Sequence, residues 1–254
     1  MSTFDLTGRV AVVTGGNGGI GLGMARGLAS AGATIVVAAR NRDKSDKAVA
    51  ELSSLGGRAV AIAVDVADEA SVNALVRATV DRFGRLDVLV NNAGINIRKP
   101  PQDLTLAEWR QVIDTNLTSA FLACRAVYPT MKAQGGGKII NIGSMMSIFG
   151  APYAPAYSAS KGGIVQLTKA MAAAWAPDHI QVNAVLPGWI DTELTINARR
   201  EVRGLHERVL ARTPAGRWGG IDDLGGVAVF LASAASDFVT GTEIAVDGGY
   251  SSQG

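Results

Sequence analysis

The sequence predicts an α/β fold: a single-domain, Rossmann-type doubly wound sheet of seven parallel strands with helices on both faces. Short apolar runs alternate with helical patterns along the chain, and strands joined by helices of about a dozen residues form right-handed parallel crossovers. Most of these runs do not alternate with polar residues, which is typical of strands covered on both faces. No linker, repeat or low-complexity segment interrupts the order, so we expect one domain over residues 1–254.

The first half of the chain supplies four of the strands. The run Val10-Ala11-Val12-Val13 ends in a glycine-rich turn, and the helix after it is expected to stop before Gly32, because glycine favours the left-handed conformation that ends helices. In chain order we predict strand 10–13, helix 20–31, strand 34–39, helix 43–55, strand 59–64, helix 68–83 and strand 86–90.

The second half follows the same order with one exception. Residues 188–220 show no regular pattern, and an irregular segment of this length in a compact domain usually has a function, so we expect a lid or substrate-binding insert there. The remaining predictions are helices from about 105 and 116, strand 138–142, helix 155–175, strand 180–186, helix 222–232 and strand 243–246.

Composition argues against several classes of protein. Of the 254 residues, 48% are hydrophobic and 18% charged, and a net charge of +2 is too small to indicate nucleic-acid binding. The single cysteine, Cys124, lies in apolar sequence, which indicates a reduced core thiol. The chain starts without a signal-like pattern, and no apolar run approaches the roughly 18 residues of a membrane span. We expect a soluble, cytoplasmic protein without a metal site, a nucleic-acid partner or a membrane association.

The turn after the first strand is a candidate phosphate-binding loop. Ligands of doubly wound sheets bind beyond the carboxyl ends of the strands, and glycines there let the backbone approach a pyrophosphate. The spacing differs from the G-x-G-x-x-G fingerprint, so by itself the turn leaves dinucleotide binding and a plain glycine-rich turn open. It reads Thr14-Gly15-Gly16-Asn17-Gly18-Gly19-Ile20-Gly21.

The end of the second strand indicates which dinucleotide would bind. An NAD site has a carboxylate here, which accepts a hydrogen bond from the ribose 2′-hydroxyl. This chain instead has Ala39 followed by Arg40, with Arg42 close by. A small side chain beside a guanidinium suits a 2′-phosphate, so we expect NADP, with NAD as the less favoured cofactor. The alternative is that Arg40 simply faces solvent.

Tyr157 and Lys161 are the candidate proton-transfer pair. They lie four residues apart in a predicted helix and therefore share one face. A tyrosine with its ordinary pKa of about 10 is a poor acid or base at neutral pH, but a neighbouring cation favours the phenolate and lowers that pKa. The pattern is common by chance, and two unrelated polar residues in a first helical turn would look the same.

Together these motifs resemble those of the classical short-chain dehydrogenases/reductases. The resemblance covers nearly the whole chain, and the chain departs from the family pattern at none of the motif positions. The motifs are Thr14-Gly15 with Gly19 and Gly21, Asp65, Asn91-Asn92-Ala93-Gly94, Asn116, Ser144, Tyr157 with Lys161, and Pro187-Gly188.

The resemblance implies a catalytic group and a relay. Ser144, Tyr157 and Lys161 would be catalytic, Lys161 would also grip the nicotinamide ribose, and Asn116 would complete a proton relay. Asn91 would brace the central strand beside the cofactor.

The expected cofactor site combines the glycine-rich turn and Arg40 with positions that the resemblance implies. Asp65 and Val66 would contact the adenine, and Ile190 with Thr192 would hold the carboxamide end. The full set is Thr14, Gly15, Asn17, Gly19, Ile20, Gly21, Arg40, Asp65, Val66, Asn92, Ala93, Gly94, Tyr157, Lys161, Pro187, Gly188, Ile190 and Thr192.

Carbonyl reduction needs such residues whatever the family. Hydride transfer leaves an alkoxide that must be protonated, so the site requires a group that is both acid and base near neutral pH. Tyr157 suits that role if Lys161 lowers its pKa, and the Ser144 hydroxyl can bond the substrate oxygen, although a serine at a strand end is also a common turn residue. Asn116 is unusual inside a helix, so it marks a backbone kink, a bound water, or both.

Basic residues give a first indication of the substrate. Arg98 and Lys99 follow the Asn91 motif, and basic residues over the mouth of a site favour an anion such as a sugar acid. A solvated amphipathic helix explains the basic residues of the insert equally well. Those residues are Arg199, Arg200, Arg203, Arg208, Arg212 and Arg217, with His206 between them, and the candidate substrate contacts are Met145, Trp189 and His206.

The segment 212–219, Arg-Thr-Pro-Ala-Gly-Arg-Trp-Gly, carries a second resemblance. It is similar to the corresponding stretch of the gluconate and deoxygluconate dehydrogenases of the same family. Related stretches occur in its 3-oxoacyl carrier-protein reductases and glucose dehydrogenases, so the resemblance favours a sugar acid without selecting it.

Two helices indicate an oligomer. The helix over 155–175 is rich in small residues that permit close approach of another helix, and the helix over 117–128 is apolar around most of its circumference, which requires a second partner surface. The resemblance implies that these helices form a dimer face and that the last strand with its 247–250 tail completes a homotetramer with two-fold symmetry.

We therefore expect an NADP(H)-preferring alcohol dehydrogenase or carbonyl reductase that interconverts a secondary alcohol and a carbonyl on a sugar, a sugar acid or another small polyol. One alternative is a 3-oxoacyl carrier-protein reductase. The other is a dinucleotide-binding redox sensor without turnover, against which the intact Ser144, Tyr157 and Lys161 argue.

Overall fold

The centre of the protein is one sheet of seven parallel strands. The structure, a computed structural model, describes residues 2–253. The strands are β1 (Val10–Thr14), β2 (Thr34–Ala39), β3 (Ala59–Ala63), β4 (Val88–Asn91), β5 (Gly137–Ile142), β6 (Ile180–Pro187) and β7 (Glu243–Val246). They lie in the order β3-β2-β1-β4-β5-β6-β7, and every neighbouring pair is parallel. The predicted doubly wound sheet is confirmed, and the strand order reverses direction between β1 and β4.

Nine α-helices connect the described strands. Side chains cap several of them: Asn41, Asp68 and Thr105 each accept a hydrogen bond from a backbone amide of the first turn that follows. The helices are α1 (Gly19–Ser30), α2 (Arg42–Ser54), α3 (Glu69–Phe83), α4 (Leu106–Ile113), α5 (Ser119–Ala133), α6 (Pro155–Trp175), α7 (Glu193–Glu201), α8 (Leu205–Arg212) and α9 (Gly225–Ala232).

Each face of the sheet has its own hydrophobic core. In β1, Ala11 and Val13 pack beneath α1, α2 and α9, while Val10 and Val12 pack beneath α3, α5 and α6. Because successive strand residues point to opposite faces, both sets must be apolar, which accounts for the uninterrupted apolar runs. Cys124 lies in the second core, where burial raises the pKa of its thiol to about 12, so the thiol stays protonated as expected.

Glycines place the start of α1 against the sheet and against α9. A Cβ atom on Gly23 would lie 2.0 Å from the carbonyl oxygen of Ile221, and one on Gly27 would lie 2.6 Å from that of Gly225. The two backbones are therefore in direct contact. This contact fixes the end of α1 that faces the predicted cofactor site.

The structure differs from the prediction in the 188–220 segment. That segment is not irregular, because it contains α7 and α8 and returns to the sheet through an isolated parallel bridge between Ile190 and Gly219. The helix predicted over 222–232 begins as a short 3-10 turn at Ile221–Leu224 before α9. Short helices with many charged residues have weak hydrophobic periodicity. The sequence pattern therefore does not reveal α7 and α8.

The last strand is also less buried than its apolar sequence predicts. In β7 the side chains of Glu243 and Ala245 are exposed and those of Ile244 and Val246 partly buried. The strand lies at the edge of the sheet, and within residues 2–253 it pairs with β6 alone, so one of its long sides has no neighbouring strand there. No helix among residues 2–253 is long and apolar enough to cross a membrane.

Candidate active site

A cleft of about 550 Å³ opens beyond the carboxyl ends of β1, β4, β5 and β6. It lies where the strand order reverses, which is the usual ligand position in doubly wound sheets. It brings together most of the predicted cofactor and catalytic residues. These are Gly15, Asn17, Gly19, Ile20, Asn92, Ala93, Gly94, Ser144, Tyr157, Lys161, Pro187, Gly188, Ile190 and Thr192.

The glycine-rich turn has the geometry of an anion site. Gly15 and Gly19 have φ angles of +64° and +51°, which strain any other residue. Helix α1 has no acidic side chain in its first turn and no side-chain cap at Gly18, so no side chain occupies its first amide groups. A Cβ atom on Gly18 would meet nothing within 4 Å. The turn therefore fits the pyrophosphate of a dinucleotide.

Thr14 does not line the cleft and instead joins the ends of two strands. Its hydroxyl donates to the carbonyl oxygen of Val90 at 3.2 Å and accepts from the amides of Asn92 and Ala93 at 3.0 and 3.1 Å. Asn92 Nδ2 also donates to the Thr14 carbonyl oxygen at 3.0 Å. Gly21 is needed in the same place, because a Cβ atom there would lie 2.5 Å from Asn92 Nδ2. Thr14 and Gly21 thus hold the cleft-lining residues Asn92 and Ala93 in position without lining the cleft themselves.

Three further residues of the predicted cofactor set lie outside the cleft lining. Arg40 is exposed at the end of β2. Asp65 is exposed, with a carboxylate oxygen that accepts from the amide of Ala67 at 3.1 Å, and Val66 packs at the edge of the core. All three follow strands on the β2–β3 side of α1, where the far end of a bound dinucleotide would extend.

Lys161 is buried beside Tyr157. Its ammonium donates to the carbonyl oxygen of Ile142 at 2.6 Å and lies 5.7 Å from the centre of the Tyr157 ring. Burial lowers the pKa of Lys161 to about 8. Burial also raises the pKa of Tyr157, against the opposing effects of the Ser144 hydroxyl and the charge of Arg98. The expected lowering of the Tyr157 pKa is therefore wrong for this arrangement, because desolvation outweighs the neighbouring polar and charged groups.

Ser144 follows β5 and caps the short 3-10 turn Met145–Ser147. Its hydroxyl accepts from the amide of Met146 at 3.2 Å. Ser147 donates in turn to the carbonyl oxygen of Lys161 at 2.7 Å. The turn and α6 are therefore linked, and Ser144 faces the cleft on the same side as Tyr157.

Asn116 lies in a π turn over Asp114–Thr118, so the predicted helix irregularity is present. Its side chain is 2% exposed and does not line the cleft. Oδ1 accepts from the amide of Ile95 at 2.8 Å, and Nδ2 donates to the Ile95 carbonyl oxygen at 2.9 Å and to Ser160 Oγ at 3.1 Å. The amide is thus engaged on both sides, while a π turn shifts the hydrogen bonding of nearby backbone carbonyls.

The predicted substrate contacts are placed differently from one another. Trp189 lines the cleft. Met145 also borders it but is 2% exposed and packs with Val165 and Leu186. His206 lies away from the cleft: it is exposed on α8, stacks on the ring of Trp218 at 6.1 Å and does not line the cleft.

The arginines of the insert fit the solvated-helix interpretation. Arg199 pairs with Asp191, Arg217 pairs with Asp223, and the Arg212 guanidinium lies between the rings of Phe149 and Tyr250. Within residues 2–253, none of the six arginines of the insert lines the cleft. Lys99 is also turned away, since its ammonium pairs with Glu108 at 2.6 Å.

Arg98 is the exception among these basic residues. Its side chain is 13% exposed and lines the cleft. The guanidinium pairs with Glu201 at 2.8 Å and donates to the carbonyl oxygen of Leu194 at 3.1 Å. Its charge reaches the phenol of Tyr157, where it favours the phenolate. A cation thus stands beside the candidate acid.

Sequence reasoning missed several polar residues of the cleft wall, among them Asn96, Lys44 and Lys47. Asn96 precedes Arg98 by two positions, and no motif marks it. Lys44 and Lys47 lie three residues apart on one face of α2, a spacing that could have revealed them. Lys44 donates to both carboxylate oxygens of Glu193 at 2.9 and 2.8 Å, so α2 and α7 are tied together across the cleft. No group of three potential metal ligands occurs within residues 2–253.

Comparisons with known proteins agree with this site. A family model described as enoyl-(acyl carrier protein) reductase matches residues 15–251. The 2-dehydro-3-deoxy-D-gluconate 5-dehydrogenase of Formosa agariphila is 43% identical over 250 residues, 98% of this chain and 95% of the relative. The gluconate 5-dehydrogenase of Gluconobacter oxydans is 39% identical over 246 residues, 97% of this chain and 96% of the relative.

A solved structure extends the likeness to three dimensions. The gluconate 5-dehydrogenase of Burkholderia cenocepacia J2315, in complex with NADP and tartrate, superposes with a TM-score of 0.94 at 44% identity. The match covers 99% of this chain and 98% of that one. With its Ser144, Tyr157 and Lys161 gathered in one cleft, the chain belongs to the short-chain dehydrogenases/reductases and is an oxidoreductase.

Proposed function

We propose that this enzyme interconverts a secondary alcohol and a carbonyl on a sugar acid, with NADP(H) as cofactor. One observation carries the choice of substrate: Arg98, a largely buried guanidinium, lines the cleft near Tyr157. Burial of a cation is costly unless anions compensate it, and Glu201 supplies only one carboxylate on one side. A substrate carboxylate can bind the remaining N–H groups. The relatives named for gluconate and its dehydro-deoxy derivative support this choice.

The cofactor proposal rests on the glycine turn and on Arg40. The free amides of α1 would bind the pyrophosphate, and the solved relative holds NADP. Arg40 would bind the 2′-phosphate, and the two residues directly after β2, Arg40 and Asn41, are not acidic. By the family resemblance, Asp65 with Val66 would contact the adenine and Ile190 with Thr192 the carboxamide. NAD remains the less favoured cofactor.

Side chains of the protein would supply the proton transfer and the hydrogen bonds that the reaction needs. NADP(H), when bound, supplies or accepts the hydride. Tyr157 Oη would give a proton to the substrate oxygen in reduction and take it in oxidation. Ser144 Oγ would donate a hydrogen bond to the same oxygen, and Lys161 would stabilise the phenolate. The relay implied for Asn116 would run through backbone at its π turn, because its side-chain amide is engaged.

We propose that residues 188–220 form the substrate-binding insert of one catalytic domain. Trp189 and Ala198 of this segment line the cleft, and Leu194 accepts the hydrogen bond from Arg98. The apolar contacts of α7 and α8 with each other hold the insert together.

Exposed apolar surface supports the proposal of a homotetramer. Phe121 on α5 is 41% exposed, and the outer edge of β7 has no partner within residues 2–253. A free strand edge invites pairing or cover by another chain. We also propose a cytoplasmic location, because the single unpaired Cys124 fits a reducing compartment.

The test compares an acid with a neutral substrate. We expect wild-type protein to turn over gluconate with NADP, and Arg98→Gln to lower kcat/KM for gluconate by about 10- to 100-fold, the value of a charge-assisted hydrogen bond. Turnover of the neutral polyol glucitol should change little. Arg200→Gln is the matched control, since Arg200 is exposed on the insert and does not line the cleft. An equal loss on gluconate and glucitol would contradict the carboxylate role.

The family description supports a second candidate activity, which the same assay can test. Acyl-carrier-protein substrates are named in it, and Leu194, an apolar residue of the cleft lining, is 39% exposed. Turnover of a 3-oxoacyl thioester with NADPH, without turnover of sugar acids, would favour 3-oxoacyl carrier-protein reductase activity.

A further inference from the structure

We propose that Asn96 recognises a hydroxyl group of the substrate and selects polyhydroxy acids over their deoxy analogues. The inference rests on the proposed function, in which a sugar acid binds through Arg98. It assigns a role to a polar residue of the cleft wall that no motif of the sequence marks.

The direction of the Asn96 side chain follows from the chain geometry. The segment after β4 has neither helix nor strand from residue 92 to 100, and over residues 95–98 its side chains alternate in lining the cleft, as they do in an extended chain. Alternate residues of an extended chain point the same way. Asn96 and Arg98 accordingly line the cleft, whereas Ile95 and Ile97 do not.

The Asn96 side chain has unused hydrogen-bonding capacity. Its Oδ1 atom is buried and accepts no hydrogen bond from residues 2–253. Buried polar atoms in native proteins nearly always have a partner, so the partner comes from outside the chain. Because Asn96 lines the cleft, its amide can bond a ligand hydroxyl once the side chain turns Oδ1 toward the cleft.

Asn96 is held rigidly enough to discriminate. The residue before it, Ile95, is bound at both its amide and its carbonyl by Asn116. The residue after next, Arg98, is tied to Glu201 and to the Leu194 carbonyl. The bonded backbone of Ile95 and the anchored side chain of Arg98 hold this stretch of the cleft in place, and a site built around a hydroxyl rejects the analogue that lacks it.

The spacing of the two groups suits one ligand. The Cα atoms of residues two apart in an extended chain are separated by about 6–7 Å. With the carboxylate at Arg98, the amide of Asn96 stands along the carbon chain rather than at its far end. A hydroxyl in the middle of a six-carbon acid is therefore the group it would bind.

The experiment measures kcat and KM with NADP for gluconate and for each of its monodeoxy analogues. For wild-type protein, we expect one mid-chain deoxy analogue to be turned over at least about tenfold less efficiently than gluconate, the value of one net hydrogen bond to a buried group. Asn96→Ala and the volume-conserving Asn96→Leu should each raise KM for gluconate and abolish that discrimination. Asn73→Ala, on α3 and away from the cleft, is the control.

The possible outcomes distinguish a failure of the Asn96 proposal from a failure of the proposed sugar-acid activity on which it rests. Wild-type protein that turns over no sugar acid overturns both. Turnover of gluconate with unchanged discrimination in Asn96→Ala overturns only the role of Asn96. An equal fall on every analogue, with kcat rather than KM affected, would assign Asn96 to the structure of the segment and overturn its role in recognition.

Discussion

The side chain of Asn116 holds both polar groups of the Ile95 backbone, with Oδ1 2.8 Å from the amide nitrogen and Nδ2 2.9 Å from the carbonyl oxygen. The same Nδ2 atom lies 3.1 Å from Ser160 Oγ, which donates to the carbonyl oxygen of Tyr157 at 2.7 Å. One buried amide therefore connects the start of α6 to the segment that carries Asn96 and Arg98. Asn116 therefore fixes the start of α6, which carries the candidate acid Tyr157, relative to the cleft segment that carries Asn96 and Arg98.

Asn116→Ala is expected to lose both stability and substrate affinity. Removal of a buried amide that satisfies two backbone groups should lower the free energy of unfolding by about 2–3 kcal/mol. Release of Ile95 should also raise KM for the substrate more than about tenfold, since small displacements of binding groups are costly.

Asn183→Ala is the matched control for this variant. The Asn183 amide is equally buried, donates to the carbonyl oxygen of Val239 at 2.8 Å and accepts from the amide of Thr242 at 3.2 Å, but does not line the cleft. Urea unfolding and steady-state kinetics should give comparable stability losses for the two variants and a raised KM only for Asn116→Ala. Equal KM values would show that Asn116 acts on stability alone.

The sheet could be predicted from the sequence because both of its faces are covered. The sequences of β1, β2 and β6 are largely apolar, and such runs are typical of strands that are buried on both faces of a parallel sheet. The proposed catalytic residues could be selected from the sequence for a related reason. Ser144 and the Tyr157–Lys161 pair each lie at a strand end or at the start of a helix, and the fold brings such positions together.

The rest of the site depends on tertiary contacts that local patterns do not encode. Lys99 and Arg98 are neighbours in sequence, yet one pairs with Glu108 and the other lines the cleft. His206 is exposed because α8 buries a different face, with Leu205 and Val209 in a cluster with Ala198 of α7. The pKa of Tyr157 depends on burial, which spacing to Lys161 does not reveal.

Cofactor preference should depend on Arg40. Arg40→Ala is expected to lower kcat/KM with NADP by about 10- to 100-fold, the value of a charge-assisted hydrogen bond to phosphate, and to leave kcat/KM with NAD nearly unchanged. Arg77→Ala on α3, likewise exposed, is the control. Initial rates with both cofactors provide the measurement. A preference for NAD in the wild-type protein, unaltered in Arg40→Ala, would remove the 2′-phosphate role.

The stability of the protein should depend on the protonation of Lys161. Burial lowers its pKa from 10.5 to about 8, and at about 1.4 kcal/mol per pKa unit the folded state disfavours the charged form by on the order of 3 kcal/mol. Below pH 8 the ammonium is charged in both states, so this penalty is present in full. As the pH rises from about 8 to 10.5, the folded state loses its proton before the unfolded state does, and the penalty is relieved.

Lys161→Met should therefore be more stable than wild-type protein at pH 7, and its advantage should shrink as the pH rises toward 10.5. Urea unfolding of both proteins across this pH range measures the difference between their free energies of unfolding. Groups that titrate equally in the two proteins do not contribute to this difference. Lys169→Met is the control on the same helix, because the Lys169 side chain is 46% exposed and pairs with Glu243 at the surface. A constant difference between Lys161→Met and wild-type protein from pH 7 to 10 would mean that the Lys161 ammonium is not desolvated, and that its hydrogen bond to the Ile142 carbonyl compensates its burial.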